Sequence, residues 1–242
     1  QILCATLLTS KPIIVNNIPN IQDVNKLIQI LTNLGVEISK INEGSYRICS
    51  NNINLDYLSS QGFKDDGQRL RGSIMIVGPL LARFGKGSVP RPGGDKIGRR
   101  RLDTHFDGFI KLGAKFSHNR ESSFYNVEAN ELKGANILLD EASVTGTANI
   151  VMTAVLAHGK TTIYNAACEP YVQQLCKMLN KMGAKISGIG SNYLVIDGVS
   201  KLNGTDHTIL PDMIEIGSWI GLAAMTKSEI TIKNVNWNQL GI

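Results

Sequence analysis

Apolar residues along this chain fall into two alternating rhythms. Residues 151–157, Val-Met-Thr-Ala-Val-Leu-Ala, are apolar on most sides, which predicts a helix buried all round rather than one with a wet face. Residues 161–164, Thr-Thr-Ile-Tyr, carry the β-branched and aromatic signal of a short strand. Val172, Leu175, Leu179 and Met182 then recur at helical spacing, and Gly183 stands where a left-handed residue would end the helix. Two more strands, 184–187 and 193–196, follow through a link at 188–192.

The same order recurs elsewhere. Lysines at the turn after each apolar helix are Lys11, Lys86, Lys160 and Lys227, spaced by 75, 74 and 67 residues. Glycines that end the second helix, Gly35, Gly113 and Gly183, are spaced by 78 and 70, and the hairpin tyrosines Tyr46, Tyr125 and Tyr193 by 79 and 68. Three landmarks in one order at nearly one period define a repeat of the form β-α-β-α-β-β. The units run from 1 to about 60, from about 70 to 140, and from 143 to 210. A helix that is apolar all round needs neighbours to cover it, so three units should pack about a common helical centre with sheets outside, an α/β architecture. After Leu210-Pro211-Asp212 a fourth unit begins, with a buried helix at 214–225 in which Trp219 and Met225 read as core, and a strand at 229–234. A proline at that junction suits a crossing between domains, which divides the chain into 1–210 and 211–242. Residues 1–8 already read as the apolar face of a helix with no cap before it, so the chain is expected to be a piece of something longer, lacking the first strand of its first unit.

Charge changes the picture at one place. Of 242 residues 43% are hydrophobic, enough for a sizeable core, and the formal net charge is +5. Residues 83–101 alone carry +6, with Arg83, Lys86, Arg91, Lys96, Arg99, Arg100 and Arg101 against the single acid Asp95. Gly85, Gly87, Gly93, Gly94, Gly98, Pro90 and Pro92 rule out a regular helix there, so the tract 83–105 reads as a mobile basic loop. Nucleic acid or an acidic membrane would call for cations spread along a face. A concentrated tract favours a small polyanion, and a carboxylate held among cations is a site-like arrangement. Cys4, Cys49, Cys168 and Cys176 lack the spacing of a zinc site, and His105, His118, His158 and His207 show no metal-ligand pattern. The cysteines read as free thiols in a reducing cytoplasm, and neither a charged-then-apolar leader nor an apolar run fit to span a bilayer is expected from these residues.

Several motifs, taken together and in order, resemble the enolpyruvyl transferases. They are Leu70-Arg71-Gly72-Ser73, the run from Gly78-Pro79-Leu80 to Phe84-Gly85, Pro92-Gly93-Gly94-Asp95-Lys96-Ile97-Gly98 with Arg100, Leu102-Asp103-Thr104-His105, Ala142-Ser143-Val144-Thr145-Gly146-Thr147, and Leu210-Pro211-Asp212. The resemblance covers essentially the whole chain. It implies an inside-out α/β barrel domain of three β-α-β-α-β-β repeats with central buried helices, closing on substrate against a second domain of the same chain. It further implies transfer of the enolpyruvyl group of phosphoenolpyruvate to the 3′-hydroxyl of UDP-N-acetylglucosamine, an early step of bacterial cell-wall precursor synthesis, by addition and then elimination with no metal or organic cofactor.

Carried over position by position, the resemblance places Asp95 as the general acid that protonates the methylene carbon and Arg100 as the arginine that holds the phosphoenolpyruvate anions. Arg71 matches an arginine at the sugar-nucleotide site. Arg101, Leu102, Asp103 and Thr104 fall on the segment lining the uridine pocket, and Ala142, Ser143, Val144 and Thr145 on a loop beside the uracil and diphosphate. Independently of that, Ser143 is placed to cap the helix that follows.

Two positions depart from the family pattern. Many members carry cysteine where this chain has Asp95, and proline where it has Arg101. The family's Lys-Asn pair would precede Gln1, so this chain alone is expected to bind weakly and not turn over. Two alternatives stay open: a sister enzyme acting on shikimate 3-phosphate, whose Gly-Asn-Ala-Gly-Thr signature is absent, and an RNA-binding or RNA 3′-phosphate cyclase-like protein using the basic tract on phosphates.

Overall fold

The computed structural model describes residues 1–93, 101–119, 121 and 123–240. The first unit comprises α1 (Ile2–Ala5), prolonged by a 3-10 turn at Thr6–Leu8, then β1 (Ile13–Asn16), α2 (Gln22–Asn33), β2 (Glu37–Asn42) and β3 (Ser45–Cys49). A 3-10 turn at Leu55–Ser59, α3 (Gln61–Gln68) and a further 3-10 turn at Arg71–Ile76 lead to the second unit. That unit contains α4 (Val77–Phe84), β4 (Lys86–Pro90), α5 (Asp103–Lys111), β5 (Lys115–Asn119), β6 (Phe124–Glu128) and β7 (Asn136–Leu138). The third has α6 (Val144–Ala154), β8 (Lys160–Tyr164), α7 (Pro170–Lys181), β9 (Lys185–Ser187), β10 (Tyr193–Asp197) and β11 (Asp206–Thr208), after which α8 (Met213–Thr226) begins.

The repeat is physical. In each unit the second hairpin strand lies between the first strand and its hairpin partner, giving the orders β1-β3-β2, β4-β6-β5 and β8-β10-β9. Tyr46 and Tyr125 occupy equivalent rungs, opposite the buried Val15 and Val89, whereas in the third unit that rung is Leu194 opposite the buried Ile163, and Tyr193 stands one residue earlier, opposite the exposed Tyr164. Gly35, Gly113 and Gly183 have φ of +98°, +99° and +103°, and just beyond each one the backbone N–H of Val36, Ala114 or Ala184 returns to a carbonyl five residues back at 3.0 Å. Only glycine enters that region without a Cβ penalty, so the three helices stop the same way.

Parallel strands link the units. β7, at the end of the second unit, pairs with β8 of the third, and β11, at the end of the third, pairs with β1 of the first. The corresponding tail of the first unit makes no strand: Asn54 accepts the Asp56 N–H at 3.1 Å and bends the chain into the 3-10 turn beside β4. Inside the sheets the buried helices meet, α4 against α6 and the Thr6–Leu8 turn, α6 against α5 and α7. Ile150, Val151 and Met152 of α6 are wholly inaccessible. Each such side chain contributes roughly 1.5–3 kcal/mol relative to exposure.

Three expectations need correction. Residues 83–90 are not a loop, since they close α4 and form β4, with Val89 buried. Arg83 is not a ligand-seeking cation there: its Nη1 donates to the carbonyls of Leu7, Thr9 and Ser50 at 3.0, 3.2 and 2.6 Å, tying the first unit to the second. Helix α8 forms as expected, capped by Asp212 Oδ1, but only Ile216 is buried. Trp219 and Met225 are 47% and 86% exposed, because nothing among the described residues covers them, and 229–234 forms no strand. Asp95 and Arg100 lie outside the described residues.

Candidate substrate site

The N-terminal ends of α5 and α6 meet, although about forty residues separate them in sequence. Contact is close because position 146 is glycine; a Cβ there would stand 2.8 Å from Thr104 Cγ2. On one side lie Arg101, Leu102, Asp103, Thr104 and His105, and on the other Asp140, Glu141, Ala142, Ser143, Val144 and Thr145. Arg71, which opens a 3-10 turn, joins them by donating from Nη2 to the Arg101 carbonyl at 3.2 Å. Nine of the ten residues anticipated for substrate binding thus come together, Arg100 being outside the description.

Of the acids that hold this cluster, Asp140 and Glu141 went unnoticed in the sequence, whereas Asp103 was among the expected site residues. Asp140 accepts Arg101 Nη1 at 3.0 Å and the Thr104 hydroxyl at 3.0 Å, and Glu141 lies 3.5 Å from the same hydroxyl. Asp103 takes Arg101 Nε at 2.8 Å. These bonds, first that with Asp103 and then the charge of Asp140, raise the Arg101 pKa, so this guanidinium is engaged with protein carboxylates. Two carboxylates immediately before a helix cap were the available signal.

Ser143 caps α6 by accepting the Gly146 N–H at 3.1 Å, while Leu102 and Val144 are half-buried against the core. Ala142 and Thr145 are exposed. Beneath them His105 is buried, its Nε2 3.3 Å from Thr145 Oγ1 and its Nδ1 3.0 Å from Asn149 Nδ2. Burial first, and the Arg71 charge second, push its pKa down to about 4, so the ring is neutral near pH 7. His105 and Asn149 were also missed as site residues; Asn149 showed only as an amide in an otherwise apolar helix. A cleft of about 270 Å³ opens beside Thr104, Asp107, Leu138 and Asp140. A larger groove of about 770 Å³, between α7 and β11, touches none of these residues, and volume alone does not make it the site.

Arg71, the exposed Thr145 hydroxyl and the N-terminal N–H groups of α6 are donors suited to an anion. The family model for EPSP synthase (3-phosphoshikimate 1-carboxyvinyltransferase) matches residues 1–242. The chain belongs to the EPSP synthase family. Among relatives in the family, a UDP-N-acetylglucosamine 1-carboxyvinyltransferase of Bacteroides fragilis is 64% identical over 242 residues, covering all of this chain and 56% of the relative. The enzyme of the same name from Porphyromonas gingivalis is 56% identical over the same span, again 56% of its length. The chain therefore spans a little over half the length of these relatives. Their names match the nucleotide-sugar expectation rather than the shikimate or RNA alternatives. The enolpyruvyl transferase NikO from Streptomyces tendae superposes with a TM-score of 0.75 at 20% identity, covering 90% of this chain and 50% of that one. EPSP synthase from Acinetobacter baumannii gives 0.66 at 17%, over 93% and 51%. These likenesses establish the inside-out α/β fold of the EPSP synthase family. No helix among the described residues is long and apolar enough to cross a membrane.

Proposed function

We propose that this chain supplies the nucleotide-sugar face and the acid-bearing loop of an enzyme that transfers the enolpyruvyl group of phosphoenolpyruvate to the 3′-hydroxyl of UDP-N-acetylglucosamine. The observation that carries the reading is the meeting of Arg71, 101–104 and 142–145 around the α6 N-terminus, in a chain 64% identical to a protein named for that reaction. Arg71, Thr145 and the free N–H groups of α6 hold the diphosphate, and the residues at 101–104 line the uridine. Arg101 acts there through Asp103 and Asp140, which keep the two segments together.

Chemistry falls to the tract 94–100. The substrate hydroxyl attacks C2 of phosphoenolpyruvate and gives up its proton to a base of the second domain, while Asp95 gives a proton to C3, turning the methylene into a methyl group. Arg100 holds the carboxylate and phosphate. Removal of a C3 proton then restores the double bond as the C2–O bond to phosphate breaks, releasing inorganic phosphate. Cations nearby keep a carboxyl ionised, so Asp95 takes its proton as the anionic substrate binds and offsets them. Residues 1–210 form one domain, and 211–242 begin a second that supplies the remaining groups and closes over the substrates. The setting is cytoplasmic precursor supply for the bacterial cell wall, on which cell shape and division depend.

The test is phosphate release by the full-length protein. It should require UDP-N-acetylglucosamine, and shikimate 3-phosphate should not replace it. Asp95→Ala should lower turnover at least about 100-fold, the usual worth of a positioned acid. A carboxylate lacks thiolate nucleophilicity, so an epoxide that alkylates the family cysteine should leave no adduct at position 95 by mass spectrometry. Release with shikimate 3-phosphate alone would overturn the reading.

A further inference from the structure

Asn149 is buried and its amide orientation is settled by two backbone groups. Its Oδ1 accepts the Gly78 N–H at 2.9 Å, and its Nδ2 donates to the Ile74 carbonyl at 2.9 Å. An N–H can only donate and a carbonyl can only accept, so the amide cannot be flipped. The second Nδ2 hydrogen then faces His105 Nδ1 at 3.0 Å, which makes Nδ1 the acceptor and leaves the proton of the neutral ring on Nε2. That Nε2–H faces Thr145 Oγ1 at 3.3 Å. The Thr145 oxygen accepts, and its own proton is directed to another partner.

Thr104, on the facing helix, shows the opposite arrangement. Its hydroxyl proton is spent on the Asp140 carboxylate at 3.0 Å, inside the protein. Thr145 is exposed while His105 and Asn149 beneath it are buried, so its proton is available to a ligand. We infer that Asn149 and His105 are positioning residues, a buried hydrogen-bond chain that makes the Thr145 hydroxyl a preset donor to the diphosphate of the nucleotide sugar. The chain starts from the Ile74 carbonyl in the 3-10 turn before the second unit and the Gly78 N–H in α4, and ends at the surface of the third unit. A donor oriented in advance needs no reorganisation when the anion arrives. The inference rests on the site reading proposed above.

Two measurements on the full-length protein test it and separate its failure from failure of that reading. Nitrogen-15 NMR of the wild-type histidines should show His105 neutral at pH 7 with its proton on Nε2; an Nδ1–H tautomer overturns the chain whatever the protein binds. Calorimetry with UDP-N-acetylglucosamine should show Thr145→Val and His105→Phe each weakening binding about tenfold, the worth of one hydrogen bond to a charged group. The double variant should bind no more weakly than Thr145→Val, and His105→Gln, which restores an N–H near Nε2, should recover most of the loss. Independent, additive losses overturn the positioning role. Absence of any wild-type binding overturns the site reading and the ligand end of the inference, while the tautomer still decides the chain within the protein.

Discussion

Helix α6, VTGTANIVMTA, is buried from Gly146 to Ala154, whereas helix α8, MIEIGSWIGLAAMT, buries only Ile216. Both are apolar round most of their circumference, and neither shows the one-sided pattern that marks a surface helix. Their difference lies in neighbours. α4, α5 and α7 enclose α6, while Ile214, Trp219, Ile220, Leu222 and Met225 of α8 stand exposed. All-round hydrophobicity thus states that a helix requires cover without naming the cover. Polarity differs too: α6 admits Thr147, Asn149 and Thr153 into the interior because each finds a partner there.

The strongest attack on this contrast is Val151→Asp. A carboxylate at a wholly inaccessible position without a cation should cost more than about 4 kcal/mol and abolish the cooperative thermal transition. A folded, cooperatively melting variant would mean that α6 is not enclosed.

A smaller effect comes from His105. Its folded pKa of about 4 lies below the ordinary 6.5, so the unfolded chain binds the proton first as the pH falls. Stability is therefore fully present above about pH 6.5 and is lost towards pH 4, by about 3 kcal/mol for this one group. The buried His207, whose pKa is lowered first by burial and then by Lys181, acts in the same direction. Denaturant unfolding at several pH values should give a shallower acid slope for His105→Gln than for wild type; equal slopes would mean that His105 is charged in the folded state.

Smallest of all, Met225→Lys in this chain should change stability by less than about 0.5 kcal/mol, since the side chain is 86% exposed. In the full-length protein the same substitution should be clearly destabilising if 211–242 begins a second domain. Equal midpoints in the two contexts would remove that boundary.

Much of the fold was legible because its signals are local. A left-handed residue at Gly35, Gly113 or Gly183 depends on a few torsions, and the buried helices follow from composition at one spacing. The site was half legible. Its residues could be placed by motif, but not the bonds between them, since Asp140, Glu141, His105 and Asn149 carry no spacing signature. Arg83 was misread because charge in a sequence does not reveal whether a guanidinium faces a ligand or three backbone carbonyls.

Sequence by itself determined the threefold repeat, the helix stops, the apolar character of α6 and α8, and the concentration of charge at 83–101. Only the tertiary structure decided which apolar helix is covered, that β11 returns to β1, and that Asn149 reaches Gly78 seventy-one residues away to orient His105. The division has one physical cause. Torsional preference and periodicity act between near neighbours, whereas burial and hydrogen-bond partnership depend on segments that only the folded chain brings together.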